Sequence, residues 1–187
     1  GKDWPVPGYR EQMGWMPLAV PTPAGTQYYS FVPKRLAYLN TAADSFAASE
    51  DWHNVQAILG KFAELSHKDN FRLVVVYAPS APHVLMPLVR DRIPADQLLQ
   101  FVRYKDEQIT ADADTFKRQL FERLDTQENA VMAWCATQRV ECVSTTAALR
   151  QAAAAGRQVY FTYDQHWTPE GNAVVADLLS AYFQQQP

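Results

Sequence analysis

A chain of 187 residues with 48% hydrophobic and 20% charged residues is long enough for one domain with a packed core, and its composition excludes a disordered chain. The net charge of -3 provides no basic surface for nucleic acid or for an anionic membrane. No run approaches the ~18 apolar residues needed to span a bilayer.

Residues 1–48 read as an irregular N-terminal arm rich in Pro and Trp. Trp4, Pro5, Pro7, Trp15, Pro17, Pro21 and Pro23 punctuate it. Prolines at this density fix turns and exclude helix interiors. Tyr28-Tyr29-Ser30-Phe31-Val32 is a candidate edge strand.

An α/β domain is expected over residues 49–187. Ser49-Glu50-Asp51 starts a helix that Asp69-Asn70 ends, and Val55, Ile58, Leu59, Phe62 and Leu65 form its expected buried stripe. Phe71 to Tyr77 is nearly continuous in apolar residues, as a central parallel strand should be. Ala78 to His83 is its exit loop. Helices are predicted over Pro94–Phe101, Asp112–Leu124 and Thr126–Gln138. The second turns Phe116, Leu120, Phe121 and Leu124 inward, and the third Val131, Trp134 and Cys135. Glu141-Cys142-Val143 is a short strand. Thr145 or Thr146 then caps a helix that Gly156 terminates.

The last unit reads as strand, loop and helix. Val159 to Tyr163 is β-branched and aromatic. Thr168 is a helix cap, Pro169 fits the first helical position, and Glu170 suits the positive end of the helix dipole. Val174, Val175, Leu178, Leu179, Tyr182 and Phe183 continue as an apolar stripe. Helices alternating with strands favour a parallel sheet covered on both faces. With three strands in view the sheet is small: either the N-terminal region adds strands, or the chain is part of a larger fold.

Asp164, His166 and Trp167 fall between that strand and helix, at the carboxyl end where α/β sheets bind ligands. An Asp two residues before a His can orient the imidazole and stabilise its charged form, which is half of a nucleophilic triad. Two other readings stay open. The pair ties down the turn, or it binds a metal with His83 as a third ligand.

The block Tyr163-Asp164-Gln165-His166-Trp167-Thr168-Pro169-Glu170-Gly171 resembles the Asp–His block of SGNH-type (GDSL-like) hydrolases, especially the form written Asp-x-His-Trp-Thr-Pro-x-Gly in the alginate O-acetyltransferase-like branch. Leu73 to Val84 is similar to the strand-plus-proline segment those proteins carry upstream. The resemblance covers roughly residues 50–187. It implies a three-layer α/β/α fold of flavodoxin-like type. It implies His166 as general base and Asp164 as its orienting partner. It further implies hydrolysis or transfer of an acyl ester, commonly acetyl on a carbohydrate, without metal or other cofactor. By family habit the setting is periplasmic or otherwise extracytoplasmic.

The chain departs from that pattern in having no Gly-Asp-Ser and no Gly-x-Asn-Asp. Ser45, in Ala43-Asp44-Ser45-Phe46, and Ser80, after the strongest strand, are the candidate nucleophiles. The other accounts place the serine outside these residues, or describe a domain that has lost catalysis and binds glycan or protein. Trp167, Tyr163 and His83 are candidate substrate contacts, each with a packing or surface alternative. Cys135 and Cys142 form a disulfide or are two small buried thiols.

Overall fold

The computed structural model describes residues 16–103 and 109–185. Trp4, Pro5, Pro7 and Trp15 lie outside the described residues.

Residues 16–31 are not irregular. Strands β1 (Met16–Thr22) and β2 (Gly25–Phe31) form an antiparallel hairpin closed by Pro23 and Ala24. Pro17 and Pro21 are tolerated because a two-stranded sheet has only edges, where a missing N–H breaks little. Leu18 and Val20 alternate with more exposed residues on β1, whereas Tyr29, Ser30 and Phe31 are all buried at the end of β2. Two short helices follow, α1 (Pro33–Leu39) and α2 (Ala43–Ala47).

Helix α3 (Glu50–Asp69) has the expected ends. The Ser49 hydroxyl accepts from the Trp52 N–H at 3.2 Å, and Asn70 closes the helix in the left-handed region at φ 52°. Its expected buried stripe is a correction. Val55, Ile58, Phe62 and Leu65 are 41%, 56%, 50% and 44% exposed. The helix instead buries Ala63 and packs Trp52, with Leu59 at the margin, against a cluster of Phe46, Trp134 and Cys135. A wide apolar arc leaves the choice of inner face to the partner, and the two bulky indoles decide it.

Strand β3 (Val74–Tyr77) pairs in parallel with β4 (Glu141–Ser144), in the register Val74 to Glu141 through Tyr77 to Ser144. No further strand joins this sheet among the described residues. The apolar run is therefore half-buried, not central, and Val76 is exposed. Arg72 and the Tyr182 hydroxyl both donate to Glu141 and hold its carboxyl down at about 2, tying the last helix to the start of β4.

Helix α4 (Ala81–Val89) takes in the second half of the predicted exit loop. Helices α5 (Ala95–Arg103), α6 (Ala113–Arg123), α7 (Thr126–Gln138), α8 (Thr146–Ala154) and α9 (Pro169–Gln184) lie where the sequence puts them. The Asp112 side chain caps α6, and Phe116, Leu120 and Leu124 are buried. Gly156 follows α8 at φ 96°, and a side chain there would overlap Thr22 and Ala24 of the hairpin turn.

Val159–Tyr163 is not a sheet strand. Only Tyr160 bridges, to Trp167 in its own loop, and residues 162–166 bend back. The carbonyl of Tyr28 on β2 is instead taken by side chains, Thr162 Oγ1 at 2.9 Å and Gln158 Nε2 at 3.2 Å. Val159 and Tyr160 still belong to the main buried cluster, with Leu18, Phe31, Leu36, Leu85 and Val174. The architecture is mixed α/β with a small parallel and a small antiparallel sheet, consistent with an incomplete three-layer α/β/α sandwich.

Cys135, late in α7, and Cys142, on β4, are joined in a disulfide with Cα atoms 6.1 Å apart. Without reductant the protein should show no titratable thiol. Replacing both cysteines by Ala should lower unfolding free energy by about 2–3 kcal/mol, from the loop-closure entropy of so short a ring, as measured by urea titration.

Candidate active site

The site grows out of a loop pinched at its neck. Thr168 N–H donates to the Val159 carbonyl and Phe161 N–H to the His166 carbonyl, each at 3.1 Å. Tyr160 buries its ring and donates its hydroxyl to the Pro79 carbonyl at 2.7 Å, fixing the loop to the exit of β3.

The motif residues after the loop have separate physical tasks. Thr168 Oγ1 donates to the Gln158 carbonyl and accepts from the Gly171 N–H at 3.1 Å, so one hydroxyl both ties the neck and caps α9. Pro169 occupies the first turn. Gly171 is required by contact and not by its torsion angles: a Cβ there would overlap the Val159 carbonyl oxygen.

At the tip, Asp164 Oδ1 accepts from the His166 backbone N–H at 2.8 Å and from His166 Nδ1. The spacing of two residues lets one carboxylate oxygen bond both groups of the same histidine. The backbone N–H first, and then the imidazole, hold the Asp164 carboxyl below the usual carboxylate range. With Nδ1–H donating to Asp164, the lone pair that can take a proton is on Nε2. Both side chains are open to water, 86% exposed for His166 and 55% for Asp164.

His166 lines a cavity of about 400 Å³ with Ala78, Pro79, Gln165, Trp167 and Asn172. Trp167 serves both readings, half-buried against the main core and forming a wall of this cavity. Tyr163 is half-buried in the loop and is not among the lining residues. Ser80 is half-buried at the start of α4, next to Pro79 of the cavity wall. Ser45 is exposed on α2, whose Phe46 packs into the other cluster. Among the described residues, no serine hydroxyl is hydrogen-bonded to His166.

His83 is neither in a loop nor with His166. It is fully buried in the first turn of α4, and its Nε2–H donates to Asp125 Oδ1 at 2.7 Å. Tyr77 O–H donates to its Nδ1 at 3.4 Å, and Glu128 Oε2 stands 3.6 Å from Nε2. Arg150 binds Asp125 Oδ1 at 2.7 Å and the His83 carbonyl at 3.0 Å, while Ser144 donates to Glu128 at 2.5 Å. Burial lowers the His83 pKa, so the imidazole is neutral. Burial raises the Asp125 pKa, but the Arg150 and His83 hydrogen bonds outweigh it and leave the carboxyl below its ordinary value.

The sequence reading missed this network because His83, Asp125 and Arg150 lie 25 to 67 residues apart and carry no motif. His83, Asp125 and Glu128 are also the one grouping of three metal-ligating side chains among the described residues. Asp164 and His166 gather no third ligand there. In the buried grouping, Asp125 Oδ1 is already shared between the imidazole and Arg150, which is the arrangement of a neutralised structural network.

The pinched loop, the Asp–His pair and the capped helix lie within the part of the chain that resembles a known class, the SGNH hydrolase-like domains. Residues 99–187 match the family model for the SGNH hydrolase-like domain of the acetyltransferase AlgX. The superfamily expected from the Asp164–His166 block is thus the one found over the C-terminal part of the chain. Comparison with curated proteins and with solved structures gives no significant match.

Two outcomes test this construction. Gly171→Ala should cost about 1–3 kcal/mol through overpacking against Val159, visible as a lower urea midpoint. The second concerns His83. Its pKa is lowered in the folded state, so below about pH 6.5, the ordinary histidine value, the unfolded chain binds the proton more readily and stability falls. Urea midpoints should therefore drop between pH 7.5 and 5.5, and His83→Gln should flatten that drop.

Proposed function

We propose that this chain carries the Asp–His half of a Ser-His-Asp site for hydrolysis or transfer of an O-acyl group, chiefly acetyl, on a carbohydrate. The observation that supports it most is the Asp164–His166 pair standing at a cavity mouth with its imidazole oriented through Nδ1. In this reading His166 Nε2 takes the proton of an attacking serine hydroxyl, and Asp164 steadies the resulting imidazolium. Backbone N–H groups hold the oxyanion.

The match to an acetyltransferase domain supports acetyl as the group and a carbohydrate as its carrier. Of the two serines in view, Ser80 is favoured by its place beside the cavity wall, and Ser45 is disfavoured by packing on the other cluster. The disulfide supports an oxidising setting such as the periplasm. A second reading, a binding module with a residual pair, is favoured by the exposure of His166 and by its lack of a serine partner among the described residues.

Release of chromophore from a chromogenic acetyl ester separates the two. His166→Ala should lower the rate at least ~100-fold, the scale of lost general-base catalysis. Asp164→Asn should lower it less. Equal rates for His166→Ala and the parent would sink the enzyme reading.

A further inference from the structure

Asn172 is exposed near the start of α9 and lines the cavity together with His166 and Trp167. Asn is a weak helix former, so helix propensity does not account for it there. Side chains on a helix lean toward its N-terminus, and this one therefore lies back over the loop that carries His166. Its Nδ2 donates to the Thr168 carbonyl at 3.0 Å and to the Trp167 carbonyl at 3.5 Å. Carbonyl oxygens accept only from the NH2 end of an amide, which fixes the orientation of the group. With Nδ2 turned to the backbone, Oδ1 is the outward end of an exposed side chain. Among the described residues no donor reaches it.

We propose that Asn172 is a specificity-determining residue of this cavity, its Oδ1 accepting a hydrogen bond from the sugar hydroxyl next to the ester. The inference rests on reading the His166 cavity as the acyl-ester site and adds how the alcohol part is recognised. The bonds through Nδ2 hold the amide in place before a ligand arrives, so little side-chain freedom is lost on binding. Trp167 supplies an aromatic wall against which the C–H face of a pyranose can pack.

An ester with hydrogen in place of that hydroxyl would cover Oδ1, cut it off from water and leave it unpaired. Selection should thus act on the carbon next to the ester and not on the acyl group alone.

The test measures binding in the His166→Ala protein, where turnover does not interfere. One probe is a methyl glucopyranoside acetylated on the oxygen beside the anomeric carbon, so that its ester has a single neighbouring ring hydroxyl. The other is the same ester with that hydroxyl replaced by hydrogen. Binding is read from NMR shifts of the Trp167 indole N–H. With Asn172 in place, the hydroxylated ester should bind about fivefold more tightly, the scale of one hydrogen bond. Adding Asn172→Ala should remove that preference. Asn172→Thr should remove it as well, while its hydroxyl keeps a bond to the Thr168 carbonyl and holds the melting temperature.

An Asn172 that merely braces the Trp167 backbone would, once replaced by Ala, weaken both esters alike and leave the preference intact. That result overturns the proposal. So does equal binding of the two esters with Asn172 in place, or saturable binding of neither. Failure of the acyl-transfer reading appears elsewhere, as equal ester turnover by the parent and His166→Ala.

Discussion

The close approach of Val159 to the first turn of α9 is the contact on which the site depends. The Val159 carbonyl accepts from Thr168 and lies where a side chain at residue 171 would otherwise be. This locks the end of a buried segment to the start of a helix, and the chain between them has one way to go, outward. Asp164 and His166 are then brought together by local geometry and need no support from distant elements. The helix is in turn held at its far end, where Tyr182 bonds Glu141 beside Arg72. Loop, helix and parallel sheet therefore form one mechanical chain.

Much of this was legible in the sequence. Caps, stops and stripes are local, and Ser49, Asn70, Asp112, Gly156 and Thr168 behave as their chemistry dictates. The Asp–His pairing was legible for the same reason, since two residues of spacing fix it. What failed was non-local. Val159–Tyr163 has strand composition, but strand formation needs a neighbour with free backbone groups, and β2 offers Tyr28 to side chains instead. The α3 stripe is apolar as read, but which arc turns inward was settled by Trp52 and Trp134, the second 82 residues after the first. His83 looked like a loop residue because nothing near it announces Asp125 or Arg150.

The two histidines show what burial does to one side chain. His83, with carboxylates and a guanidinium around it, is enclosed and kept neutral, and its bonds join α4, α7 and α8 below the carboxyl end of the sheet. His166 has one carboxylate and open water. Enclosure makes the first a structural fixture. Access leaves the second free to exchange protons with whatever enters the cavity beside it.

That openness has a consequence for the strength of the Asp164–His166 contact. Attraction between exposed charges is screened beyond about 8 Å at physiological salt. Asp164 and His166 lie well inside that distance, and it is the high dielectric of the open water around them that weakens their attraction. A ring seated against Trp167 and Pro79 would displace that water, lower the local dielectric and strengthen the same contact without moving either residue. The pair is in this sense an unfinished electrostatic device, one whose dielectric surroundings a ligand would complete.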